Sequence, residues 1–241
     1  MRDTVKRVID PFLAETDAAL GGGYSAVLFG SAARGDYVEG RSDINLLLIL
    51  DDVSPERLRA LQKPFAGWTK AAQEPPLLIS REEWRTATDV FPIEITDMQS
   101  AAQVLRGADP IAGLQVRPAD LRHALEKELH GKLLRLRQGY VALAEDPERL
   151  GAMLSRATST VLVLLRGVLR LAGRTASPDP AAVVSAAAEL VGFPPRALGA
   201  AIERRADRGW RCSPAEGAAF LDAVARTAQY VDQHQPGDHH A

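Results

Sequence analysis

The stretch that most constrains this chain runs Leu28-Phe29-Gly30-Ser31-Ala32-Ala33-Arg34-Gly35-Asp36. It resumes, past a polar loop, as Arg41-Ser42-Asp43-Ile44-Asn45-Leu46-Leu47. Tyr24 to Phe29 reads as a buried strand ending at Gly30. Ser31-Ala32-Ala33-Arg34 then starts a short helix, and Gly35 to Arg41 is the loop. Asp43 to Leu50 gives the strongest strand signal in the chain, an apolar run interrupted at Asn45. A strand that turns into a helix through Gly-Ser suits an anion. Glycine lets the backbone approach, the helix start offers unpaired N–H groups, and Ser31 adds a hydroxyl donor. Arg34 is a cation in reach of an outer phosphate. Side chains alternate along a strand, so Asp43 and Asn45 face the same way with Ile44 on the other face. Two oxygen ligands at adjacent same-face positions suit a hard divalent cation.

This string resembles the signature of the nucleotidyltransferase superfamily: an apolar residue, Gly, then Gly or Ser, a spacer, and acid–apolar–acid–apolar. Gly30, Ser31 and Asp43 match it, with Ile44 and Leu46 at the apolar positions. The two-part layout is similar to that of the aminoglycoside adenylyltransferases. The resemblance implies an α/β (α+β) nucleotidyltransferase domain with a mixed sheet, followed by an all-α helical bundle. It also implies a reaction: a nucleoside monophosphate moves from an NTP, expected to be ATP, to a hydroxyl acceptor, with Mg2+ as cofactor and pyrophosphate leaving. In that scheme two motif acids and a third acid from a later strand hold the metal. Glu94, between Ile93 and Ile95 in a predicted strand over Phe91 to Thr96, is the expected third acid, as ligand or as base for the acceptor proton. Asp97 is the weaker candidate, read as the cap of a helix over about 97–105. The expected set is therefore Gly30, Ser31 and Arg34 for the nucleotide, Asp43 and Glu94 for catalysis, and Asp43, Asn45 and Glu94 for the metal.

Asn45 departs from the pattern, which calls for an acid there. An amide oxygen coordinates magnesium without bringing negative charge, so affinity falls unless substrate phosphates add ligands of their own. Three readings follow: a slower or one-metal enzyme, a non-catalytic nucleotide- or partner-binding protein (a pseudoenzyme or toxin–antitoxin component), or an active variant with a relocated acid. Asp36, Asp51 and Asp52 are the relocation candidates.

Around this core, the spacing predicts a helix over 4–20, stopped by Gly21-Gly22-Gly23, and a helix from Ser54 through about residue 66. Leu77 to Ser80 reads as a strand and Arg81 to about Thr88 as a helix capped by Ser80. From Pro118 onward, helical periodicity dominates. Leu121, Leu125, Leu129, Leu133, Leu136, Tyr140 and Leu143 form one stripe, and helical segments follow at about 148–172, 180–191, 194–206 and 214–234. The predicted division is 1–117 and 118–241.

Composition narrows the function classes. A net charge of −2 argues against a broad nucleic-acid surface. One cysteine, Cys212, forbids an intrachain disulfide and reads as structural. The N-terminus lacks a signal-type apolar run, and the apolar stretch Val161 to Leu165, bracketed by Arg156 and Arg166, is short for a bilayer. The expectation is a cytoplasmic protein without a membrane partner. His123 and His130 read as surface or interdomain residues, Arg204 to Arg211 as a charged helix end, and His239-His240 as part of a frayed tail.

Overall fold

Two units, Met1–Gln115 and Val116–Ala241, each carry their own core. The structure, a computed structural model, describes residues 2–40, 42–71, 74–207 and 209–234. The predicted tail histidines His239 and His240 lie outside the described residues, as do Arg41 and Arg208.

In the first unit, helix α1 (Asp3–Leu20) buries Val5, Ile9, Phe12, Leu13 and Leu20 on one face. It ends at Gly21 in the left-handed conformation, whose N–H returns to the Asp17 carbonyl. Strand β1 (Tyr24–Phe29) is buried at every position. The short helix α2 (Ser31–Arg34) follows directly, and β2 (Asn45–Leu50) is buried beyond its first residue. Strand β3 spans Leu77–Ser80 and β4 spans Gln103–Arg106. The sheet order is β3-β2-β1-β4. β1 runs antiparallel to β2 and β4, and β2 parallel to β3, so the sheet is mixed. Apart from Ser25 and Asn45, the two central strands are built of apolar or aromatic residues, because both faces are covered.

Two segments differ from the sequence expectation. The helix predicted from Ser54 through about residue 66 is two: α3 (Pro55–Ala60) and α4 (Gln62–Lys70). Pro64 explains the break. It has no N–H to give the Ala60 carbonyl, and its ring clashes with that carbonyl in a continuous helix. α4 packs on α1 through Phe12, whose ring meets Trp68 edge-on at 4.8 Å and Phe65 at 5.6 Å. The second difference follows α5 (Arg81–Arg85), which has the Ser80–Glu83 capping box expected of its sequence. The predicted strand over Phe91 to Thr96 is instead the start of helix α6 (Pro92–Ser100), and the predicted helix over 97–105 gives way to β4. Pro92 sits at the first helical position, where its fixed φ is favourable. The Ile93/Ile95 alternation spans only three residues, and burial continues through Thr96, Asp97 and Met98, as a helix enclosed on most sides requires.

The second unit is all helical among its described elements: α7 (Pro118–Leu143), α8 (Pro147–Leu171), α9 (Pro180–Val191), α10 (Arg196–Glu203) and α11 (Pro214–Gln233). The α7 stripe from Leu121 to Leu136 is buried, and Leu133 and Leu136 share a core with Leu150, Leu154, Leu162, Leu165 and Leu169 of α8. Helix starts are fixed by side-chain caps at Asp146, Asp179 and Ser213. By length and composition alone α8 could cross a membrane, a longer apolar element than the Val161 to Leu165 stretch suggests. However, 61% of its most apolar window is buried within the fold.

Candidate functional site

The site begins with the register of β1 and β2. Phe29 pairs with Asn45, so the turn that leaves β1 and the residues that enter β2 lie at the same end of the sheet. Gly30 adopts φ 71° and ψ −153°, a region open essentially to glycine alone. A Cβ built there would stand 2.5 Å from the Asn45 Nδ2. Two independent constraints, backbone and space, therefore require glycine, and Asn45 lies directly across it. Ser31 opens α2 and is half-buried.

Asp43 lies just before β2 and is exposed, Ile44 is 2% exposed, and Asn45 is half-buried. The inside–outside alternation read from the sequence thus extends ahead of the hydrogen-bonded strand. Burial pushes the Tyr37 hydroxyl pKa up, and the nearby charges of Glu39 and Asp43 add to the shift. Tyr37 is itself a core residue, packed in the same cluster as Ile44 and Leu46.

Arg34 is where the structure corrects the sequence reading. Its side chain is 4% exposed and turned inward rather than toward an outer phosphate. Nη1 donates to both carboxylate oxygens of Asp97 at 2.7 Å, and Nε stands 3.4 Å from Asp36 Oδ1. Asp97 does not cap a helix as expected. It lies inside α6, with its backbone carbonyl accepting from Ser100 Oγ and the Ala101 N–H. Sequence reasoning missed this partner. The available signal was an acid three residues beyond Glu94, read as the cap of a helix starting at Asp97 when that helix starts at Pro92. Glu94 is half-buried in the first turn of α6 rather than on a strand.

The relocation candidates for the missing acid have other work. Asp51 accepts from Arg81 Nε at 2.7 Å. Asp52 accepts from the Ser54 N–H and hydroxyl, which hold its carboxyl below the usual range. Asp36 stands with Arg34. Elsewhere, Cys212 is fully buried, and burial with the Glu216 charge pushes its thiol up to about 11, the opposite of an activated nucleophile. His130 meets Asp232 at 3.0 Å and joins α7 to α11. Trp210, the aromatic of the basic segment, is buried in the bundle core.

Among the described residues no group of three or more His, Cys, Asp or Glu side chains is gathered as a metal cage. Asp43 and Asn45 nonetheless offer one carboxylate and one amide at the mouth of a glycine turn. That donor set is too poor to hold magnesium by itself, but it fits an ion that arrives with phosphate oxygens, the usual manner of magnesium binding.

The fold is that of a nucleotidyltransferase-type domain followed by a helical bundle. Residues 12–94 match the family model described as "Nucleotidyltransferase domain". Among solved structures, the chain is similar to the spectinomycin adenyltransferase AAD(9) from Enterococcus faecialis, crystallised with ATP and spectinomycin. The TM-score is 0.60 at 13% identity, covering 94% of this chain and 99% of that one. No curated protein matches at the sequence level. The first unit thus has the nucleotidyltransferase superfamily's fold, and the two-part layout resembles that of the aminoglycoside adenylyltransferases.

Proposed function

We propose that this protein transfers a nucleoside monophosphate from an NTP, with ATP the expected donor, to a hydroxyl group on an acceptor. The observation that carries the reading is the Phe29–Asn45 register, which sets the Gly30–Ser31 turn beside Asp43 at one end of the sheet. The backbone of the Gly30–Ser31 turn and the Ser31 hydroxyl would cradle the triphosphate. Asp43 and Asn45, with Glu94, would hold the magnesium that comes with it. When bound, that ion neutralises charge on the phosphates and makes pyrophosphate a better leaving group. Glu94 accepts the proton of the acceptor hydroxyl as its oxygen bonds to the α-phosphorus and the bond to pyrophosphate breaks. ATP as donor and a small hydroxyl-bearing acceptor are supported by the likeness to an adenyltransferase that was solved with both kinds of ligand. The proposal extends to a cytoplasmic setting, in keeping with the composition.

Calorimetric titration of the protein with each NTP, with and without magnesium, tests the donor half. The expected result is binding that tightens with magnesium and is lost in Asp43→Ala. Binding by Asp43→Ala equal to wild type would remove Asp43 from the site. Pyrophosphate release on incubation with ATP and a panel of aminocyclitol and sugar hydroxyls tests the second half. Turnover that appears only in Asn45→Asp would identify a lapsed enzyme that keeps its nucleotide site.

A further inference from the structure

Arg34 and Asp97 are 63 residues apart in sequence and meet as a buried pair, with side chains 4% and 7% exposed. Each stands three residues beyond a residue of the candidate site. Ser31 precedes Arg34 on α2, and Glu94 precedes Asp97 on α6. Residues three apart on a helix share a face, and side chains lean toward the N-terminus. The pair therefore joins the two helices one turn behind the groups assigned to triphosphate and acceptor.

The contacts of Arg34 weigh against a simple phosphate role. One guanidinium already faces two carboxylates, Asp97 and Asp36, the latter 9% exposed. A phosphate oxygen reaching Arg34 would have to displace an Asp97 carboxylate held at 2.7 Å through both oxygens in a buried site. The pair is better suited to fixing distance than to changing partners. Asp97 is held at its other end too, because its backbone carbonyl closes the last turn of α6.

We propose that the Arg34–Asp97 pair is a strut that sets the position of Glu94 relative to the Gly30–Ser31 turn, which makes both residues positioning residues for nucleotidyl transfer. The role given to Glu94 rests on the function proposed above. The strut itself is a property of α2 and α6.

The test uses the full chain with Asp97→Asn, which keeps shape and removes charge, and Arg34→Lys, which keeps charge and loses the guanidinium plane. The first readout is amide hydrogen exchange across 92–100, with 3–20 as internal reference. The strut requires exchange in 92–100 to rise by about tenfold or more in Asp97→Asn while 3–20 is unchanged. No rise in 92–100, or an equal rise in both segments, would overturn it, the latter by making the pair a general prop of the core. The second readout is ATP affinity with and without magnesium. Asp97→Asn is expected to cut the magnesium-dependent gain by about tenfold, as loss of a supporting partner does at metal sites. It should leave magnesium-free ATP affinity intact, and adding Glu94→Gln should cost no more. If Arg34→Lys weakens ATP alike with and without magnesium while Asp97→Asn does not, Arg34 is a phosphate ligand and the strut is wrong. A wild-type protein whose ATP affinity ignores magnesium would sink the proposed function instead, and the exchange readout alone would then judge the strut.

Discussion

At the scale of single residues, Gly30 has the least freedom in the first unit. Its φ of 71° with ψ −153° is costly for any residue with a Cβ, and a Cβ would also stand 2.5 Å from the Asn45 amide. The two penalties are separable. Gly30→Ala should lose about 1–3 kcal/mol from backbone strain alone, with the clash adding to it. Adding Asn45→Ala removes the clash but not the strain. Urea denaturation of both variants reads the difference: the double variant should recover part of the loss and not all of it. ATP binding, measured on whatever remains folded, should be gone in both, because the turn would move away from the position that Phe29–Asn45 pairing sets. A Gly30→Ala protein as stable as wild type would mean that the turn relaxes freely, and its glycine would then need no explanation from the sheet.

At the scale of elements, the sequence was legible where periodicity ran long and less so where it was brief. The α7 stripe repeats over five buried leucines, and β1 and β2 are six-residue buried strands flanked by glycine or acid, so both kinds of element were readable. The strand-to-helix turn at Gly30–Ser31 was legible as a turn because glycine answers a local backbone demand. Arg34 and α6 were not. Ile-Glu-Ile fits a strand and a helix equally well over three residues, and what decides is burial by distant segments, which a local pattern does not carry. With Asp97 read as the cap of a helix starting there rather than as a residue inside α6, its pairing with Arg34, 63 residues away, was not foreseen. Helix packing in the second unit offers a further test at this scale. On α8, a Cβ at Gly151 would stand 2.1 Å from the Trp210 carbonyl oxygen, so the connection before α11 rests directly on the helix backbone. The Cys212 N–H donates to the Pro147 carbonyl at 2.9 Å in the same region. Gly151→Ala should cost about 1–3 kcal/mol through overpacking, seen as a lower melting temperature, although alanine is the better helix former. A rise in melting temperature would show that the connection yields and that propensity outweighs contact here.

At the scale of the whole molecule, the two hydrophobic clusters share no residue. One runs from Val5 to Trp68 and the other from Leu133 to Val224, on either side of the division after Gln115. A core that closes within its own segment is the physical condition for independent folding, and both segments fall in the size range of autonomous domains. The second unit therefore should fold when residues 116–241 are produced alone. The prediction is sharpened by α8, which has the length and apolarity of a membrane span. If the bundle forms, Leu150, Leu154, Leu162, Leu165 and Leu169 are covered by α7, α9, α10 and α11, and the fragment stays in solution without detergent. If the core needs the first unit to close, those residues are exposed and the fragment aggregates or partitions into detergent. Circular dichroism should show a helical spectrum with one cooperative thermal transition, and sedimentation should find the fragment soluble. A helical spectrum that melts without cooperativity, or solubility only in detergent, would mean that the second core is not self-sufficient. The bundle would then be an extension of the nucleotidyltransferase-fold unit rather than a domain in its own right.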